Sequence, residues 1–275
     1  MLGSSTQAQL RLLTPVAPAS DKPLFVFLPG MDGTGELLIT QLPNLEPYFD
    51  IRCLAIPSDD LSTWETMAAQ VIRLVRQAAR DRWVYLCGES FGACLALHVV
   101  SQAPELATYL MLINSASSLH RFPWLHWLSH LTPWGLWSIA QTAVAGNLPL
   151  LANPSRIQVA EYRQLMRAIG SVSRASTAWR LSLLTQFRLE PLNLHRVKTP
   201  TVLVASLADL LLPSLEEAQQ LAQLLPDARI YPLPDSGHAS LVETEVSLSS
   251  ILAEVGFLPA PFSVAAALPQ TAQLV

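Results

Sequence analysis

The sequence predicts an α/β fold, a mainly parallel central sheet flanked by helices, and three observations carry that reading. Short, continuous apolar runs bounded by Pro or Gly recur along the chain, the pattern of strands buried on both faces. Stretches with helical periodicity lie between them, and strands alternating with helices build parallel sheets. The composition, 51% hydrophobic and 14% charged over 275 residues, suits one large globular domain or a domain carrying an insertion and excludes extended disorder.

The first run, Pro23 to Gly30 (PLFVFLPG), reads as a buried strand, and Ile51 to Pro57 (IRCLAIP) as a second. A helix is predicted from about Glu65 to Arg80, with Met67, Val71, Leu74 and Val75 on one face and Arg73, Arg76 and Arg80 elsewhere. Trp83 to Gly88 is a third strand; Ser90 to Pro104 is a helix stopped near its proline. Leu106 to Asn114 is a fourth strand, after which the alternation breaks for some eighty residues. It resumes with a strand in Thr199 to Asp209, a helix near Ser214 to Leu225, the strand ARIYPLP and a last helix over roughly Ser240 to Val255. Residues 256–275, with three prolines and little periodicity, are expected to form a loosely held tail. Residues 1–114 and 200–255 thus make the expected core.

Cys53, Cys87 and Cys94 are odd in number, sit in apolar runs and lack zinc spacing, so they are expected to be reduced core thiols of an intracellular protein. The opening MLGSSTQAQLRLLTP has neither the basic nor the apolar region of a secretory signal, so a cytoplasmic protein is expected, with at most peripheral membrane contact. A net charge of −4 argues against a nucleic-acid partner. That average hides an uneven distribution. Residues 115–199 hold eight Arg and one Lys against Glu161 and Glu190, a net of +7, and five of the seven Trp: Trp124, Trp127, Trp134, Trp137 and Trp179. The block reads as an inserted helical subdomain.

The chemistry is carried by Gly88 to Gly92, GESFG, which matches G-x-S-x-G at a strand-to-helix junction. Such a turn lifts the Ser90 hydroxyl above the sheet edge and tolerates only small flanking residues. Serine is a weak nucleophile at neutral pH, so the motif demands a histidine base and an orienting acid, in chain order Ser, Asp or Glu, His. Of six histidines, His238 alone follows a strand-like run near the C-terminus in a loop of small residues, Asp235-Ser236-Gly237-His238. His98 reads as a packed side chain of the helix after Ser90, and His120, His126, His130 and His195 fall in the inserted block. Asp209, just past the strand TVLVASL, is the expected acid, with Asp235 and Glu190 as rivals.

An acyl-transfer site also needs amides for the oxyanion. The backbone N–H of Phe91, after the nucleophile, is one expected donor, and that of Met31, in the loop Pro29-Gly30-Met31-Asp32-Gly33-Thr34-Gly35, is the other. The spacing in GMDGTG fits neither a dinucleotide nor a P-loop, so no cofactor and no metal is expected. Asp32 is expected to hold the loop by an Asx-type hydrogen bond.

Together PLFVFLPGMDGTGELL, IRCLAIP, VYLCGESFGACLAL and the Asp209 and His238 positions resemble the α/β-hydrolase superfamily over residues 20–255. FLPGMDGTG with GESFGACLAL more narrowly resembles the hydrolase portion of the phytyl ester synthase group of plant plastids and cyanobacteria, chiefly over residues 23–115. Many superfamily members have His-Gly before the oxyanion residue; here it is Pro29-Gly30, as in the narrower group. Plant members of that group carry an acyltransferase-like region after the hydrolase portion, which this chain ends too soon to contain, so plain hydrolysis is the expectation. The resemblance also implies that residues 115–199 are a helical cap over the site.

Within that block Val159, Tyr162, Leu165, Met166 and Ile169 fall on one helical face. Arg156, Arg163, Arg167 and Arg174 fall on the opposite one if the helix continues. The apolar stretch Trp134 to Gly146 is about half the length that crosses a bilayer. Tryptophans with arginines suit contact with an anionic membrane surface; equally, they suit a cap with its tryptophans over an apolar pocket and its arginines in solvent. Both arrangements imply an apolar ester substrate. A monomer or weak oligomer is expected. The leading function is a serine hydrolase working through an acyl-Ser90 intermediate, with an acyltransferase or thioesterase using the same residues as the alternative. A noncatalytic ligand receptor on the same fold is the reading from another class.

Overall fold

The structure, a computed structural model, describes residues 9–121 and 151–260. Seven strands form one sheet: β1 (Arg11–Leu13), β2 (Leu24–Leu28), β3 (Asp50–Ala55), β4 (Val84–Glu89), β5 (Tyr109–Ile113), β6 (Thr201–Ser206) and β7 (Ala228–Leu233). Their spatial order is β1-β3-β2-β4-β5-β6-β7, and every pairing is parallel except β1 with β3. Strands β2, β4 and β6 are buried at every position, as continuous apolar runs covered on both faces should be. The edge strand β7 is not, with Ile230 exposed.

The chain steps from β2 outward to β3, then crosses back to place β4 on the other side of β2. The connections after β2 and β4 therefore diverge, leaving a crevice at the carboxyl ends of these two strands, where open α/β sheets bind ligands.

One face of the sheet is covered by α1 (Trp64–Ala79), α2 (Phe91–Gln102) and α5 (Ser214–Leu224). Thr63 caps α1 by accepting from the Thr66 amide at 3.4 Å; Met67, Ala68, Val71 and Val75 bury its apolar stripe. Arg80 ends it in the left-handed region at φ 45°. Trp64 packs on Phe91 with ring centroids 4.5 Å apart and stacks on His98 at 5.4 Å, so His98 is the packed side chain expected. Burial pushes its pKa down to about 4, leaving it neutral. The other face carries a run of aromatic contacts, Phe25–Phe49–Tyr85–Tyr109–Phe257, and α6 (Leu248–Glu254). Cys53, Cys87 and Cys94 are buried free thiols, as expected, and burial pushes Cys53 up to about 12.

Between β5 and β6 the described residues form α3 (Val159–Gly170) and α4 (Arg174–Gln186). Several differences from the sequence reading have physical causes. The strand β1 was not expected; three residues pairing with β3 are too short to show a period. The helix expected over Ser240 to Val255 is a single 3-10 turn, Ser240–Val242, followed by α6 alone, because Glu243 turns its carboxylate back to the amides of Gly237 and Asn153 and Ser247 opens a new helix as its N-cap. The start of the expected loose tail is docked, with Phe257 5% exposed and its carbonyl accepting from the Tyr85 hydroxyl at 2.9 Å; residues 261–275 lie outside the described residues.

The four-arginine stripe is also corrected. α3 stops at Gly170, and Ser173 caps a separate helix, so no continuous face joins the four. Arg156 precedes α3 and faces three carboxylates, Glu245 at 2.8 Å, Asp235 at 3.4 Å and Glu243 at 3.6 Å. Arg163 and Arg167 are exposed on α3, as is Arg174 at the start of α4. Val159, placed on the apolar face by period, is 66% exposed at the helix start. Trp124, Trp127, Trp134 and Trp137, and the stretch Trp134 to Gly146, lie outside the described residues.

Candidate active site

Ser90 sits between β4 and α2 at φ 54° and ψ −111°, a conformation that a side chain adopts only under constraint from its surroundings. The constraint is visible. Its amide donates to Ile113 O at 2.9 Å, and a Cβ on Gly88 would lie 2.4 Å from Gly92 O. A Cβ on Gly92 would lie 2.0 Å from Leu28 O. The flanking glycines let α2 approach the ends of β2 and β4 closely enough to raise Ser90 above the sheet.

The three residues expected to act together do meet. His238 Nε2 lies 2.9 Å from Ser90 Oγ, and His238 Nδ1 lies 2.8 Å from Asp209 Oδ2. With Asp209 accepting at Nδ1, the ring carries its proton there, and Nε2 is free to accept from the serine hydroxyl. Asp209, in the loop after β6, has no solvent-accessible side-chain surface. Its Oδ1 accepts from the amides of Leu211 (2.8 Å) and Leu212 (2.9 Å), and its Oδ2 from the Ser214 hydroxyl. Burial raises its pKa, but the charge and hydrogen bond of His238 and these donors outweigh burial and hold the carboxyl below the ordinary range. For His238 burial opposes the charged ring, and Asp209 reverses that, holding the pKa above its ordinary 6.5.

The rivals are placed elsewhere. Asp235 is exposed and pairs with Arg156, and Glu190 is exposed in a 3-10 turn. His120 is half-buried and His195 exposed; His126 and His130 lie outside the described residues.

The loop after β2 reaches the same point, since a Cβ on Gly30 would lie 3.8 Å from Ser90 Cβ. Gly33 N donates to Gly30 O at 3.1 Å, and Asp32 Oδ2 accepts from the Thr34 amide at 2.9 Å, the Asx bond expected. Among the described residues the amides of Met31 and Phe91, the two donors expected for an oxyanion, have no protein acceptor.

Three contributors were not read from the sequence. Asn114, at φ 44° at the end of β5, donates from Nδ2 to His238 O (2.7 Å) and Ser206 Oγ (2.9 Å), and its Oδ1 accepts from Ser206 N (2.9 Å). It ties the His238 loop to β6; an Asn at a strand end, tolerant of positive φ, was its only signal. Glu243 Oε1 accepts from Gly237 N at 2.9 Å, a role hidden by reading 240–255 as one helix.

Glu89, the one charged residue of β4, is 3% exposed, and its Oε2 has no hydrogen-bond partner among the described residues. Burial, aided by the charge of Asp32 and opposed by His238, pushes its pKa up to about 8, so it is neutral at pH 7. A folded-state pKa raised from 4.5 makes folding stability fall as pH rises from about 4.5 to about 8, because only the folded chain keeps the proton there. Glu89→Gln should therefore gain thermal stability relative to the unaltered protein across that window and level off above it. Melting temperatures of the pair measured from pH 5 to 9 check this; a constant difference would contradict it.

Parallel strands around a β2/β4 crevice, a serine at a strained strand-to-helix turn, and a histidine and an acid from the loops after β7 and β6 define the class: the chain is an α/β-hydrolase in fold. The sequence is 31% identical to phytyl ester synthase 1, chloroplastic, of Arabidopsis thaliana over 264 residues, 87% of this chain. It is 28% identical to phytyl ester synthase 2, chloroplastic, of the same plant, over 86% of this chain. The chain spans 38% of the length of each. A hydrolase from Oleispira antarctica has the same fold, with a TM-score of 0.72 at 15% identity, covering 90% of this chain and 93% of its own. No protein-family profile matches the chain. Among the described residues no helix is long and apolar enough to cross a membrane.

Proposed function

We propose that the protein is a serine hydrolase that cleaves carboxylic esters of apolar, lipid-like substrates through an acyl-Ser90 intermediate. The single observation that carries this reading is the hydrogen-bonded chain Ser90–His238–Asp209 at the strained turn. In this mechanism His238 takes the Ser90 proton as Oγ attacks the ester carbonyl, and Asp209 stabilises the imidazolium that forms. The amides of Met31 and Phe91 receive the charge that develops on the carbonyl oxygen. His238 then delivers its proton to the departing alcohol, and water repeats the sequence to release the acid.

Three things support an apolar substrate: the Trp-rich segment 115–199, proposed as a helical cap; the apolar cluster of Leu37, Leu151, Leu165, Ala239 and Val242 beside the His238 loop; and the similarity to proteins named phytyl ester synthases. That similarity also favours a second reading, in which an isoprenoid alcohol replaces water in the second half-reaction. The p-nitrophenyl ester series from acetate to palmitate, kept below aggregation limits and run with and without added phytol, tests both. We expect kcat/KM to rise with chain length, since each buried methylene contributes roughly 0.8 kcal/mol. A steady fall from acetate to palmitate would contradict an apolar site, and phytyl ester formed in place of free acid would select transfer.

The exposed Arg163 and Arg167, one turn apart on α3, support peripheral contact with an anionic bilayer, at about 1 kcal/mol per basic residue near the surface. Sedimentation with phosphatidylserine vesicles at low salt should be lost in Arg163→Glu/Arg167→Glu while hydrolysis of a water-soluble ester persists. Equal sedimentation of both proteins would make these arginines a solvated face only.

A further inference from the structure

One face of α4, with the residue before it, fastens part of the 115–199 segment to the core. Ser173 N donates to Ser58 O at 3.2 Å, Ser176 Oγ to Asp60 O at 3.2 Å and Trp179 Nε1 to Ser62 O at 2.9 Å; Leu183 O accepts from Trp64 Nε1 at 3.2 Å. In the middle of this face stands Arg180, 1% exposed and the largest fully buried side chain among the described residues. A buried guanidinium is costly unless its donors and charge are answered. Here Nη1 donates to Met31 O at 2.6 Å and Nη2 to Pro57 O at 3.0 Å. Burial lowers its pKa, while the carboxylates of Asp32 and Asp60 favour the charged form.

The target is the residue whose amide serves as an oxyanion donor in the mechanism above. Two peptide planes flank Met31. The preceding one is fixed where Gly33 N donates to Gly30 O, and the following one where Arg180 holds Met31 O. The Met31 N–H lies in the first of these planes, and holding the second limits rotation about the Met31 Cα and so keeps the first from turning. The loop is also shaped around the guanidinium: Gly33 lies at φ +70°, and a Cβ there would sit 2.7 Å from Arg180 Nη1. The second glycine of GMDGTG is thus the floor of an arginine seat.

We propose that Arg180 is a positioning residue for the oxyanion loop, so that docking of α4 and aiming of the Met31 amide are one event. The proposal rests on the serine-hydrolase reading. It requires that loss of the guanidinium weaken transition-state binding and leave ground-state binding of the substrate alone.

The test compares Arg180→Met and Arg180→Lys with the unaltered protein, using p-nitrophenyl butyrate and a trifluoromethyl ketone as transition-state analogue. In folded Arg180→Met, kcat should fall about 10²-fold, the effect of losing one oxyanion donor. KM should stay within about threefold, and affinity for the ketone should fall in parallel with kcat. Arg180→Lys, which keeps a charge able to serve one carbonyl, should recover part of the loss. A folded Arg180→Met with kcat within about threefold of normal overturns the proposal, as does a loss carried by KM alone. If Arg180→Met fails to fold, Arg180→Lys decides by the same measures, and failure of both to fold makes Arg180 a structural tie only. If the unaltered protein neither hydrolyses the ester nor reacts at Ser90 with a fluorophosphonate, the serine-hydrolase reading fails, independently of Arg180.

Discussion

Ser90→Ala should lower ester turnover by about 10⁴-fold or more without unfolding the protein, and His238→Ala should do nearly the same damage. In the proposed mechanism the two groups act as one unit. Without the hydroxyl there is nothing for His238 to deprotonate, and without the ring the hydroxyl at 2.9 Å from Nε2 remains protonated and weakly nucleophilic. The double variant should therefore be little worse than either single one, the residual rate coming from the Met31 and Phe91 amides. The backbone at residue 90 is held by the Ile113 carbonyl and the flanking glycines rather than by the side chain, so alanine inherits the serine conformation. Asp209 adds a pH signature. Only the neutral ring acts as base, so kcat/KM should rise with pH through a midpoint above 6.5, the side to which Asp209 moves His238. Asp209→Asn should lower that midpoint as well as the rate. Near-normal turnover by Ser90→Ala, or multiplied losses in the double variant, would remove the mechanism.

The parts of this site that were legible in the sequence are those in which chemistry and local conformation coincide. GESFG between a buried strand and an apolar helix specifies both the turn and the proposed nucleophile, and His238 and Asp209 each follow a strand whose direction a parallel sheet fixes. The strands were visible because continuous burial leaves an apolar run, whereas β1 and the turn at Ser240–Val242 depend on partners distant in the chain. Supporting residues were hidden for a related reason. Asn114 reaches His238 across 124 positions and Arg180 reaches Met31 across 149, and no local pattern marks an arginine in a helix as one that will be buried. Arg156 shows the reverse case: helical spacing placed it in an exposed stripe, while three carboxylates from the 235–245 region draw it into an ion-pair cluster.

Gly92→Ala should be among the most damaging single-atom additions to the chain, costing about 3 kcal/mol of stability or more by overpacking. The added Cβ would lie 2.0 Å from Leu28 O, 2.5 Å from Leu28 C and 2.6 Å from Pro29 O, all backbone atoms. No rotamer change relieves such a contact. Leu28 cannot retreat, because it pairs with Gly88 in the β2–β4 ladder, and Gly92 cannot, because a Cβ-sized space between Gly88 and Gly92 is already closed by Gly92 O. The strain must be released by separating the start of α2 from the end of β2, which moves Ser90 and the Gly30–Met31 loop apart. Stability and turnover should therefore fall together, kcat more than KM, since the displaced parts are those proposed to meet the transition state. Gly170→Ala is the control: among the described residues no atom beyond its own stretch of helix lies within 4 Å of its Cβ position at the end of α3, and alanine there should be neutral or stabilise by up to about 1 kcal/mol. Chemical denaturation of both variants, with turnover of p-nitrophenyl butyrate by each, decides the matter. A Gly92→Ala protein as stable and active as Gly170→Ala would mean that α2 does not approach β2 as closely as the strained turn at Ser90 requires.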